Sequence, residues 1–402
     1  MIAIKNLLLM ECLGVRARSL HCSSTFLKRG NSAKMNQPSE SQLKDLLDNA
    51  SVGSRQKIGD QKWLKSPFQA EKVRDQGLKV NRPKIDPHET SIILFPGQGV
   101  QHVGMGKPLL KLPQVEKMYK VANEILGYDL LKLCLNGPQD QLDQTLYCQP
   151  AIYVASLAAL QLMIEERQVS VESCVATAGF SIGEYASLVL ANCFSFETGL
   201  KLVKARAEAM QEAAGLVESG MATLFLDPAA KIGTILNTSL EWCRNTGVER
   251  PHLSVANYLY PNCLVIAGSK EALRFIELNT KELKIRRCRH IAVSAAFHTP
   301  LMKSASELFR NELKKYHIAD PQIAVHSNID GLPYRDAIDI QKKLVRQIYR
   351  PVKWEQTMHV IYDRKKDVAF PQTFELGPGK SLTTLLRYCN ANAAKHSVNI
   401  FA

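Results

Sequence analysis

The stretch Cys174-Val-Ala-Thr-Ala-Gly179-Phe180-Ser181-Ile182-Gly183-Glu184-Tyr-Ala-Ser-Leu-Val-Leu-Ala191 decides the fold. Its first six residues are small or apolar and end on glycine, the pattern of a buried strand. From Glu184 to Ala191 the apolar positions take helical spacing. Between the two lies Gly179-Phe-Ser181-Ile-Gly183, a G-x-S-x-G pentapeptide. A sharp strand-to-helix turn lifts such a serine on a strained backbone, and only glycines two before and two after let the chain pass that close. The turn also sets Ser181 at a helix N-terminus, where amide dipoles favour developing negative charge. An ordinary capping serine in a tight turn has the same letters, so the pentapeptide makes Ser181 a candidate nucleophile and no more.

The same grammar opens earlier. Ser91-Ile-Ile-Leu-Phe95 is a short apolar run that stops at Pro96-Gly97-Gln98-Gly99, a strand running into a glycine loop. Helical patterning follows over 109–135, and 150–166 reads as a strongly apolar helix. Strand, tight turn and helix in repetition predict an α/β core with a parallel sheet, of the α/β-hydrolase-like kind. From about 218 the texture changes. Met221–Leu226, Leu253–Ala256 and Asn262–Ala267 read as short strands, separated by helical patterns at 228–243 and 270–283. Two helices among about four strands predict a small ferredoxin-like subdomain over 218–294, inserted into a core made of 89–217 and 295–397. Helices are expected at 299–316 and 336–348. A last strand, Thr373–Leu376, runs into Gly377-Pro-Gly379.

Composition narrows the class. The chain has 402 residues, 46% hydrophobic and 22% charged, which excludes wholesale disorder, collagen and coiled coil. Residues 1–38 hold six basic side chains and one acid and are rich in Leu and Ser, the pattern of a mitochondrial transit peptide. A secretory signal is the rival, but its apolar run Leu7–Met10 is short and stopped by Glu11. Of the formal charge of +13, +8 remains beyond residue 38, which suits an acidic partner. Residues 39–88 are polar and mixed in charge and read as a mobile linker with one short helix at Ser41–Leu47. The ten cysteines are scattered singly, without C-x-x-C or zinc spacing, and read as reduced core residues. The longest apolar stretch, Tyr153–Ile164, is too short to span a bilayer, so no membrane insertion is expected.

A nucleophilic serine needs a base and an oxyanion hole. His298, in Ala296-Phe-His298-Thr-Pro300, follows the apolar run Ile291–Val293 and precedes a helix, so it sits on a loop at an element end. A half-buried structural histidine is the alternative. The backbone amides of Gln98 and Ile182, one from each glycine turn, are candidates for the oxyanion hole. Phosphate-loop readings fail: His102 stands where a dinucleotide fingerprint needs its third glycine, and Phe374 where a Walker loop needs its first. No metal set is evident and no cofactor is expected.

These residues carry a resemblance. Phe95-Pro-Gly-Gln-Gly99 with Gln101 and Gly104-Met-Gly106 resembles the opening motif of malonyl-CoA:acyl carrier protein transacylases, and Gly179-Phe-Ser-Ile-Gly-Glu-Tyr185 their nucleophile segment. Arg206 within Lys201–Gln211, Ala296-Phe-His298, Val345-Arg-Gln347 and Glu375-Leu-Gly-Pro-Gly379 match in order. The similarity runs from about 90 to 390 and, with the leader, is nearest to the mitochondrial type. It implies that Ser181 is acylated by malonyl-CoA and that His298 takes its proton and returns it to the leaving thiol. It further implies that the carbonyl of Gln347 orients His298, that the Gln98 and Ile182 amides hold the oxyanion, and that Arg206 pairs with the free malonyl carboxylate. A planar guanidinium suits that last task, because it grips a carboxylate through two parallel hydrogen bonds. On spacing alone, Arg206 is an ordinary helix-surface arginine. Phe297 resembles the malonyl-selective form. Phe180 stands where many bacterial members have His and resembles the animal mitochondrial members.

The resemblance implies a ping-pong cycle in the mitochondrial matrix, feeding type II fatty acid synthesis. Malonyl-CoA loads Ser181, CoA leaves, and the phosphopantetheine thiol of holo acyl carrier protein takes the acyl group. The chain is expected to act as a monomer, with no nucleic acid partner. Lys284, Arg286, Arg287 and Arg289 are the expected docking cluster for the acidic carrier, a solvated basic edge strand being the alternative. Two rival functions stand beside this one. A serine hydrolase would not need Arg206 or the inserted subdomain. A binding module using the basic face finds no RNA-binding aromatic motif to support it.

Overall fold

The computed structural model describes residues 38–53, 86–293, 295–365 and 368–402. The expected transit peptide therefore lies outside the described residues except for its last position, as does 54–85 of the expected linker. In chain order the strands are β1 (Ser91–Phe95), β2 (Cys174–Gly179), β3 (Ser219–Leu226), β4 (Leu253–Tyr260) and β5 (Cys263–Ser269). They continue with β6 (Ile285–Ile291), β7 (Ala324–His326), β8 (Val352–Lys353), β9 (Gln372–Gly377) and β10 (Ser397–Phe401). They form two sheets of five, ordered β10-β9-β1-β2-β7 and β6-β3-β5-β4-β8.

The first sheet is parallel throughout. Its central strand explains why β1 reads as an unbroken apolar run. Ile93 and Phe95 point into the layer that holds the Thr145–Glu166 helix, while Ile92 and Leu94 point at Trp354, Met358, Leu382 and Leu386 on the other side. A parallel strand covered on both faces favours apolar residues at successive positions. The Thr145–Glu166 helix is apolar all round for the same reason. By length and composition it is the one helix among the described residues able to cross a membrane, and 78% of its apolar window is buried inside the protein.

The second sheet carries the β-α-β-β-α-β order of a ferredoxin-like unit, with β6-β3-β5-β4 antiparallel and the helices Ile232–Asn245 and Lys270–Leu278 on one face. Ala222, Leu224 and Leu226 face those helices, whereas Met221 faces the large core. The fifth strand comes from elsewhere. Two residues of the core, Val352 and Lys353, pair in parallel with Asn257 and Tyr258 of β4, so the division at 218–294 leaves out one strand of the small sheet.

Several expected elements change. The helix expected over 109–135 splits into Pro113–Leu126 and Leu130–Asn136, because Gly127 closes the first in a left-handed cap (φ 83°) and the Asp129 side chain caps the second. The last strand is β10, beyond Thr373–Leu376 and running from the expected core limit at 397 to Phe401. The fourth ferredoxin strand is the basic stretch Ile285–Ile291, an exposed edge strand as one of the two readings of the cluster Lys284, Arg286, Arg287 and Arg289 has it. The segment expected as mobile linker contains the Glu40–Gly53 helix, longer than Ser41–Leu47. It is docked on the small subdomain through Leu43 and Leu46, which are buried with Ile235 and Leu236. The eight cysteines among the described residues are all unbridged, six of them buried.

Candidate active site

Ser181 stands on the turn between β2 and the Gly183–Leu190 helix at φ 52°, in the left-handed region that a β-carbon disfavours. The turn forces this, and its two glycines allow it. A β-carbon on Gly179 would lie 1.9 Å from the carbonyl carbon of Gly183, and one on Gly183 would lie 2.2 Å from the carbonyl oxygen of Phe95. The elbow is tied down from below. The Ser181 N–H donates to Asn328 Oδ1 at 2.7 Å, and Asn328 Nδ2 donates to the Gly179 carbonyl at 2.7 Å.

His298 enters on the chain returning from the small subdomain, also at positive φ (59°). Its Nε2 is 2.8 Å from Ser181 Oγ, and its Nδ1 is 2.8 Å from the carbonyl oxygen of Gln347. A carbonyl can only accept, so Nδ1 carries the proton and Nε2 is left to accept from the serine hydroxyl. The ring is 4% exposed. Burial, helped by the nearby Arg206 charge, pushes its pKa down to about 3, which keeps the imidazole neutral and able to receive a proton.

Arg206 lies on the Phe196–Ala214 helix, yet it is 1% exposed, not a surface residue. That helix packs against the Thr145–Glu166 helix. Arg206 Nη1 donates to Gln149 Oε1 at 2.6 Å; Nη2 donates to Ser181 Oγ at 2.9 Å and to Gln347 Oε1 at 3.0 Å. The three side chains it donates to are all uncharged. Burial lowers the guanidinium's pKa, and the Tyr185 hydroxyl and Glu184 oppose that shift.

Behind these groups lies Glu184, fully buried in the first turn of the elbow helix. Its carboxylate accepts from the Tyr334 hydroxyl, the Gln347 side-chain amide and, at 3.2 Å, the Asn328 N–H. Burial raises its pKa to about 7, against the pull of those donors and of Lys343.

Ser181, Ile182, Arg206, His298 and Gln98 line one chamber of about 80 Å³, closed by Phe180, Met210, Phe297 and Met221. It shares Gln98, Met221, Ile291 and Val293 with a cleft of about 760 Å³ between the two subdomains, whose rim carries Lys270 and Arg274. The structure thus brings the expected residues Ser181, His298, Arg206, Gln347, Gln98 and Ile182 to one place. The basic cluster lies on edge strand β6: Arg286 pairs with Asp227 at 3.2 Å, and Arg287 covers the Phe225 ring. Sequence reasoning missed Gln149, Asn328, Tyr334 and the roles of the Glu184 and Gln347 side chains. Gln149 and Glu184 each left a signal, a polar residue in an apolar helix that demands a partner; Asn328 left none.

The arrangement can do acyl transfer: a serine, a neutral base aimed at it, and a buried cation beside the acyl position. Comparison with known proteins agrees. Residues 92–370 match the model of the acyl transferase domain family. The probable mitochondrial malonyl-CoA-acyl carrier protein transacylase of Drosophila melanogaster is 51% identical over 321 residues, 80% of this chain and 85% of that protein. The mitochondrial malonyl-CoA-acyl carrier protein transacylase of Homo sapiens is 49% identical over 309 residues, 77% of this chain and 79% of that one. Among solved structures, the malonyl-CoA:acyl carrier protein transacylase of Xanthomonas oryzae superposes with a TM-score of 0.69 at 29% identity, covering 78% of this chain and 95% of that chain. A type II PKS acyl-carrier protein in complex with its malonyl-transacylase gives 0.66 at 30% identity, covering 77% and 94%.

Proposed function

The chain belongs to the acyl transferase family, among the mitochondrial malonyl-CoA-acyl carrier protein transacylases, and from that premise we propose the following cycle. Ser181 Oγ attacks the thioester carbonyl of malonyl-CoA while His298 Nε2 takes the hydroxyl proton. The Gln347 carbonyl steadies the imidazolium through Nδ1–H, in the place of the acidic third member of a Ser-His-Asp triad. The Gln98 and Ile182 amides receive the oxyanion. The tetrahedral adduct collapses, the C–S bond breaks, and the proton passes from Nε2 to the departing CoA sulfur. The phosphopantetheine thiol of holo acyl carrier protein then repeats the steps in reverse and leaves as the malonyl thioester.

The observation that carries the choice of malonyl is Arg206. A buried guanidinium resting 2.9 Å from the nucleophile oxygen offers its fork to an acyl group that ends in a carboxylate. Apolar walls at Phe180, Met210 and Phe297 leave the rest of the chamber suited to a short chain. The cleft supplies the path for a pantetheine arm, common to CoA and carrier. On β6, the alternation of side chains puts Arg287 and Arg289 on the same face as Ile291, which lines that cleft. This supports docking of the acidic carrier along that edge. The protein acts in the mitochondrion, and we assign it to the matrix, as a monomer without nucleic acid partner or membrane insertion, supplying malonyl units for fatty acid synthesis.

Intact-protein mass after mixing with malonyl-CoA tests the cycle. The adduct should form on wild type, be absent from Ser181→Ala, and discharge to holo carrier. Release of free malonate as fast without carrier as with it would make the protein a hydrolase and overturn the reading.

A further inference from the structure

We propose that Glu184 is a positioning residue for malonyl selectivity, holding the Gln347 side-chain amide with its oxygen toward Arg206. The inference rests on the transacylase reading. A glutamine amide has one end that donates and one that accepts, and its two orientations have the same shape. Here the Nε2 end donates to Glu184 Oε2 and, at 2.9 Å, to the Ser181 carbonyl, while the Oε1 end accepts from Arg206 Nη2 at 3.0 Å. Inverted, the amide would set N–H against N–H at Arg206 and a carbonyl against the carboxylate at Glu184. Among the described residues, the groups that hydrogen-bond the Glu184 carboxylate are all donors: Tyr334 O–H, Asn328 N–H and Gln347 N–H. That is the surrounding of an ionised carboxylate. The side chain is wholly buried and touches neither the nucleophile oxygen nor the base, so it acts through its neighbours. The same glutamine accepts from His298 through its backbone carbonyl. One carboxylate thus stands behind both the base and the guanidinium, with a single residue as the go-between.

Glu184→Gln separates this from a merely structural role. The amide keeps size and one carbonyl for Tyr334 and Asn328, but it presents N–H to Gln347 Nε2 and forces the inversion. Malonyl and acetyl loading from their CoA esters are compared for wild type, Glu184→Gln and Glu184→Asp, at pH 8, above the value near 7 to which burial raises Glu184. We expect the ratio of malonyl to acetyl kcat/KM to fall about 10- to 100-fold in the Gln variant, the order of one hydrogen bond to a charged group. The Asp variant keeps charge and acceptors but withdraws them from Gln347 by one methylene, so its ratio should fall too, and by less. An unchanged ratio, or equal losses in Gln and Asp, would overturn the proposal. Should the Gln variant not fold, the Asp ratio alone decides: a fall supports the proposal and no change overturns it. Wild type that fails to load malonyl would instead refute the transacylase reading itself.

Discussion

Arg206→Ala is the sharpest test of the substrate assignment. The guanidinium is 1% exposed and held from both sides by Gln149 and Gln347, so a carboxylate arriving beside it meets a cation already stripped of water and fixed in direction. Each hydrogen bond between charged partners in such a place contributes about 1.5–3 kcal/mol, and a fork makes two. Loss of one partner of a buried pair costs about 3–5 kcal/mol. At about 1.4 kcal/mol per decade this is two to three and a half decades of rate. Acetyl has no carboxylate to lose, so its loading should change only through the contacts the guanidinium leaves at Ser181 Oγ, Gln149 and Gln347, about tenfold at most. The assay is single-turnover acylation of Ser181, followed by intact mass with malonyl-CoA and acetyl-CoA in parallel. Malonyl kcat/KM should fall at least about a hundredfold more than acetyl. Arg206→Lys should lie between, since an ammonium cannot span Gln149, Gln347 and a substrate at once. Equal losses for the two acyl groups would refute the carboxylate role.

Further outcomes follow from other parts of the molecule. With its pKa pushed down to about 3, His298 stays deprotonated through the ordinary imidazole range. Acetyl loading, which brings no carboxylate to Arg206, should therefore be level from pH 8 to 6, whereas a base titrating near 6.5 would lose about three quarters of its active form by pH 6. Gly183→Ala places a β-carbon 2.2 Å from the Phe95 carbonyl. Differential scanning calorimetry should show destabilisation above the ~1–3 kcal/mol of ordinary overpacking, with acylation lost in any folded fraction. Replacing both Leu43 and Leu46 by Ala should free the Glu40–Gly53 helix to limited proteolysis while malonyl loading stays within about twofold, because the Leu pair anchors only the outer helix.

How far the sequence carried the fold depends on length and covering. β1 and β2 were legible because both faces are buried and glycines mark where they stop. β7 and β8, of three and two residues, are too short to show a period, and their pairing depends on distant chain. β10 lies at a sheet edge with half-buried positions and reads as loop. At the site, Ser181 and His298 announced themselves by their turns. Arg206 did not: helical spacing predicts a surface residue, and only the packing of its helix against several others, the Thr145–Glu166 helix among them, buries it. Gly127 and Asp129 carried the signal for a helix break that the apolar periodicity outweighed. The contacts among Asn328, Tyr334 and Glu184 join segments about 145 residues apart in the chain and could be read only in three dimensions.

The two-residue strand β8 has a wider meaning. The large subdomain lends Val352 and Lys353 to its neighbour's sheet, a few positions beyond the Gln347 carbonyl that accepts from His298. Prising the halves apart would tear that seam and strain the segment that carries the Gln347 carbonyl. The seam thus ties the setting of that pair to the closure of the cleft, the doorway at which, in the proposed cycle, coenzyme and carrier take turns.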